Sequence, residues 1–111
     1  MRHSPLKELR TRAAVFAALG DETRLSVLAK LCNGESQSIS RLTEGTKLTR
    51  QAVTKHLRVL AEAGVVRGVH VGRESLFALE PGPIEALRDY LDQVSRQWDD
   101  ALARLKTHVE S

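Results

Sequence analysis

The chain has 111 residues, of which 41% are hydrophobic and 28% are charged, a composition that fits one globular domain spanning residues 1–111. No stretch is long and apolar enough to cross a membrane, and the N-terminal residues do not resemble a secretion signal. Cys32 is the only cysteine, which excludes an intrachain disulfide and fits a reducing compartment. We therefore expect a cytoplasmic protein with no membrane partner.

The formal net charge of +3 is unevenly distributed along the chain. Residues 36–75 contain seven basic and three acidic residues, whereas residues 83–111 contain four basic and six acidic residues. A basic middle segment favours an anionic partner, of which nucleic acid is the most common. Many solvated surfaces, however, have charge distributed just as unevenly.

Apolar residues recur at three- and four-residue intervals in four successive segments, which predicts four amphipathic helices. The apolar stripes of the first two are Leu6, Leu9, Ala13, Phe16 and Leu19, then Leu25, Leu28, Leu31 and Cys32. Those of the next two are Ile39 and Leu42, then Val53, Leu57, Leu60 and Ala61.

The ends of these helices are marked by residues that suit helix termini. Asp21, Ser38 and Thr49 are the expected N-caps of the second, third and fourth helices, because their side-chain oxygens can accept from free backbone N–H groups. Gly20, Gly34 and Gly64 end the first, second and fourth helices, and residues 44–47 form a tight break between the third and fourth.

The pattern then changes to two short runs of β-forming residues, 65–71 and 75–79, between which Gly72-Arg73 suits a two-residue hairpin turn. Pro81-Gly82-Pro83 interrupts the chain and can open a final helix. That helix carries an apolar seam formed by Ile84, Leu87, Leu91, Val94, Trp98, Leu102, Leu105 and Val109. The predicted fold is mainly α with a small β-hairpin: four helices, the hairpin, and a fifth helix.

The short third helix, the tight break and the longer fourth helix have the arrangement of a helix-turn-helix, and the hairpin after them would be its wing. If the apolar stripe of the fourth helix faces inward, the opposite face presents side chains that can bind base edges and phosphates. Because recognition helices enter the major groove N-terminus first, we assign Arg50, Gln51 and Thr54 to base reading. A polar face alone would equally fit a solvated helix, but the order of the elements favours double-stranded DNA as the partner.

Five further residues complete the predicted DNA-binding surface. Thr49, Lys55 and Arg58 are assigned mainly to phosphates. Arg73, at the wing tip, is placed to reach an adjoining minor groove or its backbone. His56 lies beside the inward face, where we expect a phosphate contact or a packing role.

Two segments resemble the ArsR family of winged helix-turn-helix repressors. Leu19–Leu28 resembles the second-helix signature of that family, and Thr49–Leu60, followed by Glu62–Val66, resembles its recognition helix and the exit into the wing. The likeness covers about Phe16 to Leu79. It implies a homodimeric repressor held together by the first and last helices, with two recognition helices in successive major grooves of an imperfect inverted repeat.

The seam of the last helix predicts the same homodimer independently, because so small a core cannot bury a helix of about 25 residues with a full apolar face. The alternative is that the seam packs only on its own domain. The residues expected at the dimer contact are Leu9, Phe16, Leu87, Leu91, Val94, Trp98, Leu102 and Leu105.

Many members of the family are released from DNA by metal ions, and here the sequence departs from the family pattern. The stretch Gln37–Leu42 lacks the closely spaced cysteines of the third-helix site, and the last helix has His108 but no second histidine at ligand spacing. We expect no metal site and no cofactor, and the sequence identifies no small-molecule effector. Cys32 is interpreted as an inert core thiol rather than a redox switch, because it continues the stripe of Leu25 and Leu28.

Other functions stay open at this point. One is a ligand- or metal-responsive repressor of the same fold, with Trp98 in an aromatic-lined pocket between the terminal helices. Another is a dimeric protein-interaction module whose helix-turn-helix has lost DNA binding. An enzyme is not expected, because the sequence contains no nucleophile elbow, phosphate loop or metal-ligand cluster.

Overall fold

A computed structural model describes residues 5–110. The elements in chain order are α1 (Pro5–Leu19), α2 (Glu22–Ala29), β1 (Gln37–Ser38), α3 (Ile39–Thr43), α4 (Arg50–Glu62), β2 (Val66–Val71), β3 (Glu74–Leu79) and α5 (Pro81–Glu110). The strands form one antiparallel sheet in the order β1-β3-β2. The mainly helical fold with a β-hairpin before the last helix is confirmed.

The three predicted N-caps are confirmed by their hydrogen bonds. Asp21 Oδ1 accepts from the N–H of Arg24 at 2.9 Å, Ser38 Oγ accepts from that of Arg41 at 3.2 Å, and Thr49 Oγ1 accepts from that of Ala52 at 3.0 Å. Each bond satisfies a donor that the first turn of its helix leaves without a partner. These caps fix where α2, α3 and α4 begin.

Two glycines provide the backbone conformations that the hairpin requires. Gly64 follows the end of α4 with φ +78°, and Gly72 leads the two-residue turn between β2 and β3 with φ +62°. A side chain strongly disfavours such positive φ values, so glycine is the residue that permits both changes of direction. The predicted Gly72-Arg73 turn is therefore confirmed.

The core lies between the helices and one end of the hairpin. It is built around side chains with no exposed surface, namely Leu31, Leu42, Val53, Leu57, Leu60 and Val65. Val53, Leu57 and Leu60 lie on one face of α4, so this helix is anchored along its length and its opposite face is left to solvent. Truncating such a buried leucine to alanine typically costs about 2–5 kcal/mol, so these side chains contribute strongly to holding α4 on the core.

The predicted apolar stripe of α2 is partly wrong. Leu25 is 48% exposed and Cys32 is also exposed, whereas Val27, Leu28 and Leu31 are buried. At 100° per residue, Leu25 lies about 160° from Val27 around the helix. Because α2 ends at Ala29 and turns follow it, Cys32 does not continue the helical stripe, and the interpretation of Cys32 as a core thiol is corrected.

Three other details differ from the sequence-based expectation. Ala61, assigned to the apolar face of α4, is exposed. In α1 the buried residues are Val15 and Ala18, while the predicted stripe that includes Leu9 and Phe16 lies largely in solvent. The strand β1 was not predicted, because two residues are too few to show an alternating pattern.

Candidate nucleic-acid interface

The exposed face of α4 forms one side of an open groove of about 410 Å³. The groove is lined by Ile39, Arg50, Gln51, Thr54, Lys55 and Arg58. It therefore brings together five of the eight residues that the sequence assigned to DNA. Their guanidinium, amide, hydroxyl and ammonium groups can bind base edges and phosphates, and carboxylates are absent from this lining.

The position of each side chain along α4 follows from how the helix begins and which face it buries. Thr49 caps the first turn, so Arg50 and Gln51 are the first helical residues and both are exposed. Thr54 follows one turn later, and its hydroxyl donates to the carbonyl oxygen of Arg50 at 2.8 Å. Lys55 and Arg58 continue the same face toward the helix C-terminus.

Ile39, the first residue of α3, lines the same groove although the sequence placed it only in the core. It is half-buried, with part of its side chain packed against the core. The N-cap Ser38 was the available signal, because it puts Ile39 in the first turn of α3, where the helix meets α4. The groove thus has one apolar residue among its polar ones.

His56 is not among the residues that line the groove. The N–H of Arg24 donates to Asp21 and lowers the pKa of that carboxyl, and the nearby charges of Arg24 and His56 act in the same direction. His56 Nδ1 is buried and has no hydrogen-bond partner. The structure therefore separates His56 from Arg50 and the other residues of the groove.

The wing is the hairpin of β2 and β3, with the exposed Arg73 at its tip. Near the middle of β3, Gln37 pairs with Phe77 and Ser38 pairs with Leu76, so β1 joins the wing directly to the start of α3. The wing and the helix-turn-helix are thus connected by backbone hydrogen bonds as well as by the chain itself.

A carboxylate that the sequence did not assign to the site stands where the wing meets the helices. Glu74, the first residue of β3, lines a cleft of about 260 Å³ with Arg41 and a second of about 350 Å³ with Arg50. A negative charge in these clefts opposes the binding of phosphate.

A second surface, which we call the apolar face, is formed by exposed side chains of α1 and α5. The rings of Phe16 and Tyr90 meet edge-on with centroids 6.3 Å apart, and the Arg12 guanidinium lies 4.6 Å from the centroid of Tyr90. These contacts hold α1 beside α5. The exposed residues of this face are Leu9, Phe16, Leu91, Val94, Trp98, Leu102 and Leu105.

Leu87, which the sequence grouped with these residues, lies in the core of its own domain and is 5% exposed. The seam of α5 therefore starts on the domain and continues beyond it.

Among residues 5–110, no three His, Cys, Asp or Glu side chains are grouped so that they could hold a metal ion. Within the same range, every helix is too short or too polar to span a bilayer.

Comparison with known proteins assigns this architecture to a family. Residues 10–69 match the family described as a helix-turn-helix domain. The HTH-type transcriptional regulator Rv2034 of Mycobacterium tuberculosis is 31% identical over 96 residues, 86% of this chain and 86% of that protein. The arsenical resistance operon repressor of Bacillus subtilis is 28% identical over 79 residues, 71% of this chain and 75% of that protein.

The solved structures include a similar chain, an ArsR-like transcriptional regulator from Rhodococcus sp. RHA1. It superposes with a TM-score of 0.81 at 36% sequence identity, covering 91% of this chain and 94% of that one. The protein therefore belongs to the ArsR family of winged helix-turn-helix transcriptional regulators.

Proposed function

We propose that this regulator is a cytoplasmic homodimeric repressor that binds an inverted-repeat operator and does not respond to metal. The observation that carries the proposal is the groove along α4, where cationic and amide side chains stand together on a helix whose other face is anchored in the core. Its relatives are transcriptional regulators, so a catalytic role is not part of the proposal.

The order of residues along α4 supports a division of labour in the DNA complex. Arg50 and Gln51 lie in the first turn, which in this class of motif enters the major groove, and they suit guanine and adenine respectively. Thr54, one turn later on the same face, is also proposed to read a base. Lys55 and Arg58 lie further along the helix, where phosphates of the groove wall are within reach.

The remaining assignments extend the contact beyond the groove. Thr49, at the N-terminus of α4, is proposed to add a phosphate contact from the helix end. Arg73 is proposed to reach the neighbouring minor groove or its backbone from the wing tip. His56 is half-buried and its Nδ1 is buried, so a phosphate contact by this residue is proposed through Nε2.

The apolar face supports the homodimer. α5 has 30 residues and a length of about 45 Å, and its seam leaves the domain after Leu87. Trp98 is 64% exposed in the single chain, with leucines and a valine above and below it on the same side. Contiguous apolar surface of this kind marks an interaction site, and α1 and α5 of a second copy would cover it. The two α4 helices would then read two half-sites about one helical turn apart.

Repression is proposed from sequence similarity, because the Bacillus subtilis relative is named as an operon repressor. Metal independence is proposed from the chemistry of this chain. The stretch Gln37–Leu42 offers an amide, hydroxyls and a guanidinium, none of which is a ligand for soft metal ions. We expect operator affinity to be the same with and without added Zn²⁺ or arsenite, and a loss of binding with either ion would contradict this part.

A pair of single substitutions tests the DNA-binding surface. We expect Arg50→Ala to weaken operator binding by about 1–3 kcal/mol and to relax the preference at one base position. Lys55→Ala is expected to weaken binding to all sequences and to lower the salt slope by about 1. Titrations of operator and shuffled DNA at several salt concentrations provide the measurement. Equal losses on both DNAs for both variants would contradict the division of roles.

A further inference from the structure

We propose that Lys30 is a positioning residue that fixes the helix-turn-helix for operator recognition without touching DNA, an inference that rests on the proposed function. Lys30 lies just after α2, outside the motif that it would position. Its ammonium donates to the carbonyl oxygens of Leu42 and Glu44, both at 3.0 Å. Its own carbonyl oxygen accepts from the side-chain amide of Gln37.

These contacts hold α3 at both ends. Gln37 precedes α3 by two residues, while Leu42 and Glu44 lie at its C-terminal end and in the following turn. A helix of five residues has too few internal hydrogen bonds to be stable alone, so its direction depends on what holds it. Lys30 supplies that support from α2, with a cation at the negative end of the α3 dipole.

The turn between α3 and α4 otherwise relies on its own short-range bonds. Thr46 Oγ1 donates to the carbonyl oxygen of Thr43 at 2.6 Å and accepts from the N–H of Leu48 at 3.2 Å. The two bonds of the Lys30 ammonium span 12 and 14 residues and connect this local network to the rest of the domain. The angle between α3 and α4, and therefore the entry of α4 into the major groove, would depend on them.

The geometry separates this role from a phosphate contact. A DNA-binding lysine directs its ammonium into solvent, whereas that of Lys30 is bonded to two main-chain oxygens. Lys30 is also absent from the lining of the α4 groove. Its loss should therefore lower the discrimination between operator and other DNA rather than the general attraction to phosphate.

The test compares Lys30→Met, which removes the ammonium but keeps a long side chain, with Lys30→Arg, which keeps a cationic donor. Lys106→Met is the matched control, because it loses the same charge near the end of α5, where Lys106 pairs with Glu110 at 4.0 Å. Affinities for operator and shuffled DNA are measured across salt concentrations, together with the thermal midpoint of each variant.

For Lys30→Met we expect operator affinity to fall about tenfold, with affinity for shuffled DNA and the salt slope unchanged. Lys30→Arg and Lys106→Met should bind as the wild type does. Equal losses on both DNAs with a lower salt slope would make Lys30 a phosphate ligand. A lower thermal midpoint with full operator affinity would make its role merely structural, and either result would overturn the proposal.

A measurement without DNA keeps this inference separate from the proposed function. The N–H groups of Glu44 and Thr46 are bonded to Ser40 and Thr43 at 3.1 Å each, so their hydrogen exchange reports on the turn. We expect faster exchange of both in Lys30→Met, and wild-type exchange in Lys30→Arg and Lys106→Met. Unchanged exchange in Lys30→Met would refute the positioning role. If the wild type selects no operator, the proposed function fails, while the exchange data still decide whether Lys30 holds the turn.

Discussion

Trp98 offers the sharpest test of the proposed homodimer. Its side chain is 64% exposed in the single chain, near the middle of the apolar seam of α5. A tryptophan presents up to about 250 Å² of surface, so about 160 Å² of Trp98 is available to a partner. At about 25 cal/mol per Å², covering half of that area contributes about 2 kcal/mol per protomer.

Because both protomers contribute, Trp98→Ala should weaken the dimer by about 4 kcal/mol, which corresponds to roughly a thousandfold rise in its dissociation constant. Gln97→Ala is the control, because Gln97 is an exposed polar neighbour on the same helix. Sedimentation equilibrium over a range of protein concentrations gives the constant for each variant. A wild type that is monomeric at micromolar concentration would rule out the proposed dimer, and equal dissociation constants for the two variants would rule out Trp98 as part of its interface.

Three further outcomes follow from the capping and wing contacts. Thr49→Ala should lower the free energy of unfolding in denaturant by about 1 kcal/mol, because the hydrogen bond from the N–H of Ala52 is lost. Thr49→Ser keeps a hydroxyl that can accept this bond and should be as stable as the wild type. Asp21 has a folded-state pKa below its unfolded value of about 3.9, so its charge stabilises the fold above that pH and less as pH falls. The thermal midpoint of Asp21→Asn should therefore lie below that of the wild type at neutral pH and meet it in acid; a gap that persists in acid would contradict this. Arg73→Ala should lower the salt slope of operator binding by about 1, whereas Arg67→Ala, whose side chain pairs with Glu80 at 3.5 Å, should leave it unchanged.

The elements that could be predicted from the sequence are those fixed by interactions between residues close together in the chain. The N-caps at Asp21, Ser38 and Thr49 are confirmed because each bonds to an N–H three residues away. The turn at Gly72 is confirmed because a positive φ at that position calls for glycine. In α4 the spacing of the apolar residues was enough to identify the buried face, and with it the groove on the opposite side.

What could not be predicted depends on contacts between distant parts of the chain. Lys30 looked like any surface lysine, because its acceptors lie 12 and 14 residues further along. The pairing of Gln37 with Phe77 spans 40 positions of sequence and involves only two residues of β1. The spacing of Cys32 from Leu28 fits a helical stripe, but α2 ends at Ala29, before Cys32 is reached.

Selection of genomic DNA fragments by the purified protein at two salt concentrations shows whether this protein recognises one operator sequence as a dimer. We expect the recovered fragments to share one inverted repeat, with half-sites about one helical turn apart, at both salt concentrations. Fragments that share no motif and are lost together as salt rises would show attraction to phosphate alone. That result would rule out a sequence-specific regulator, and the helix-turn-helix would then be an architectural or partner-binding module.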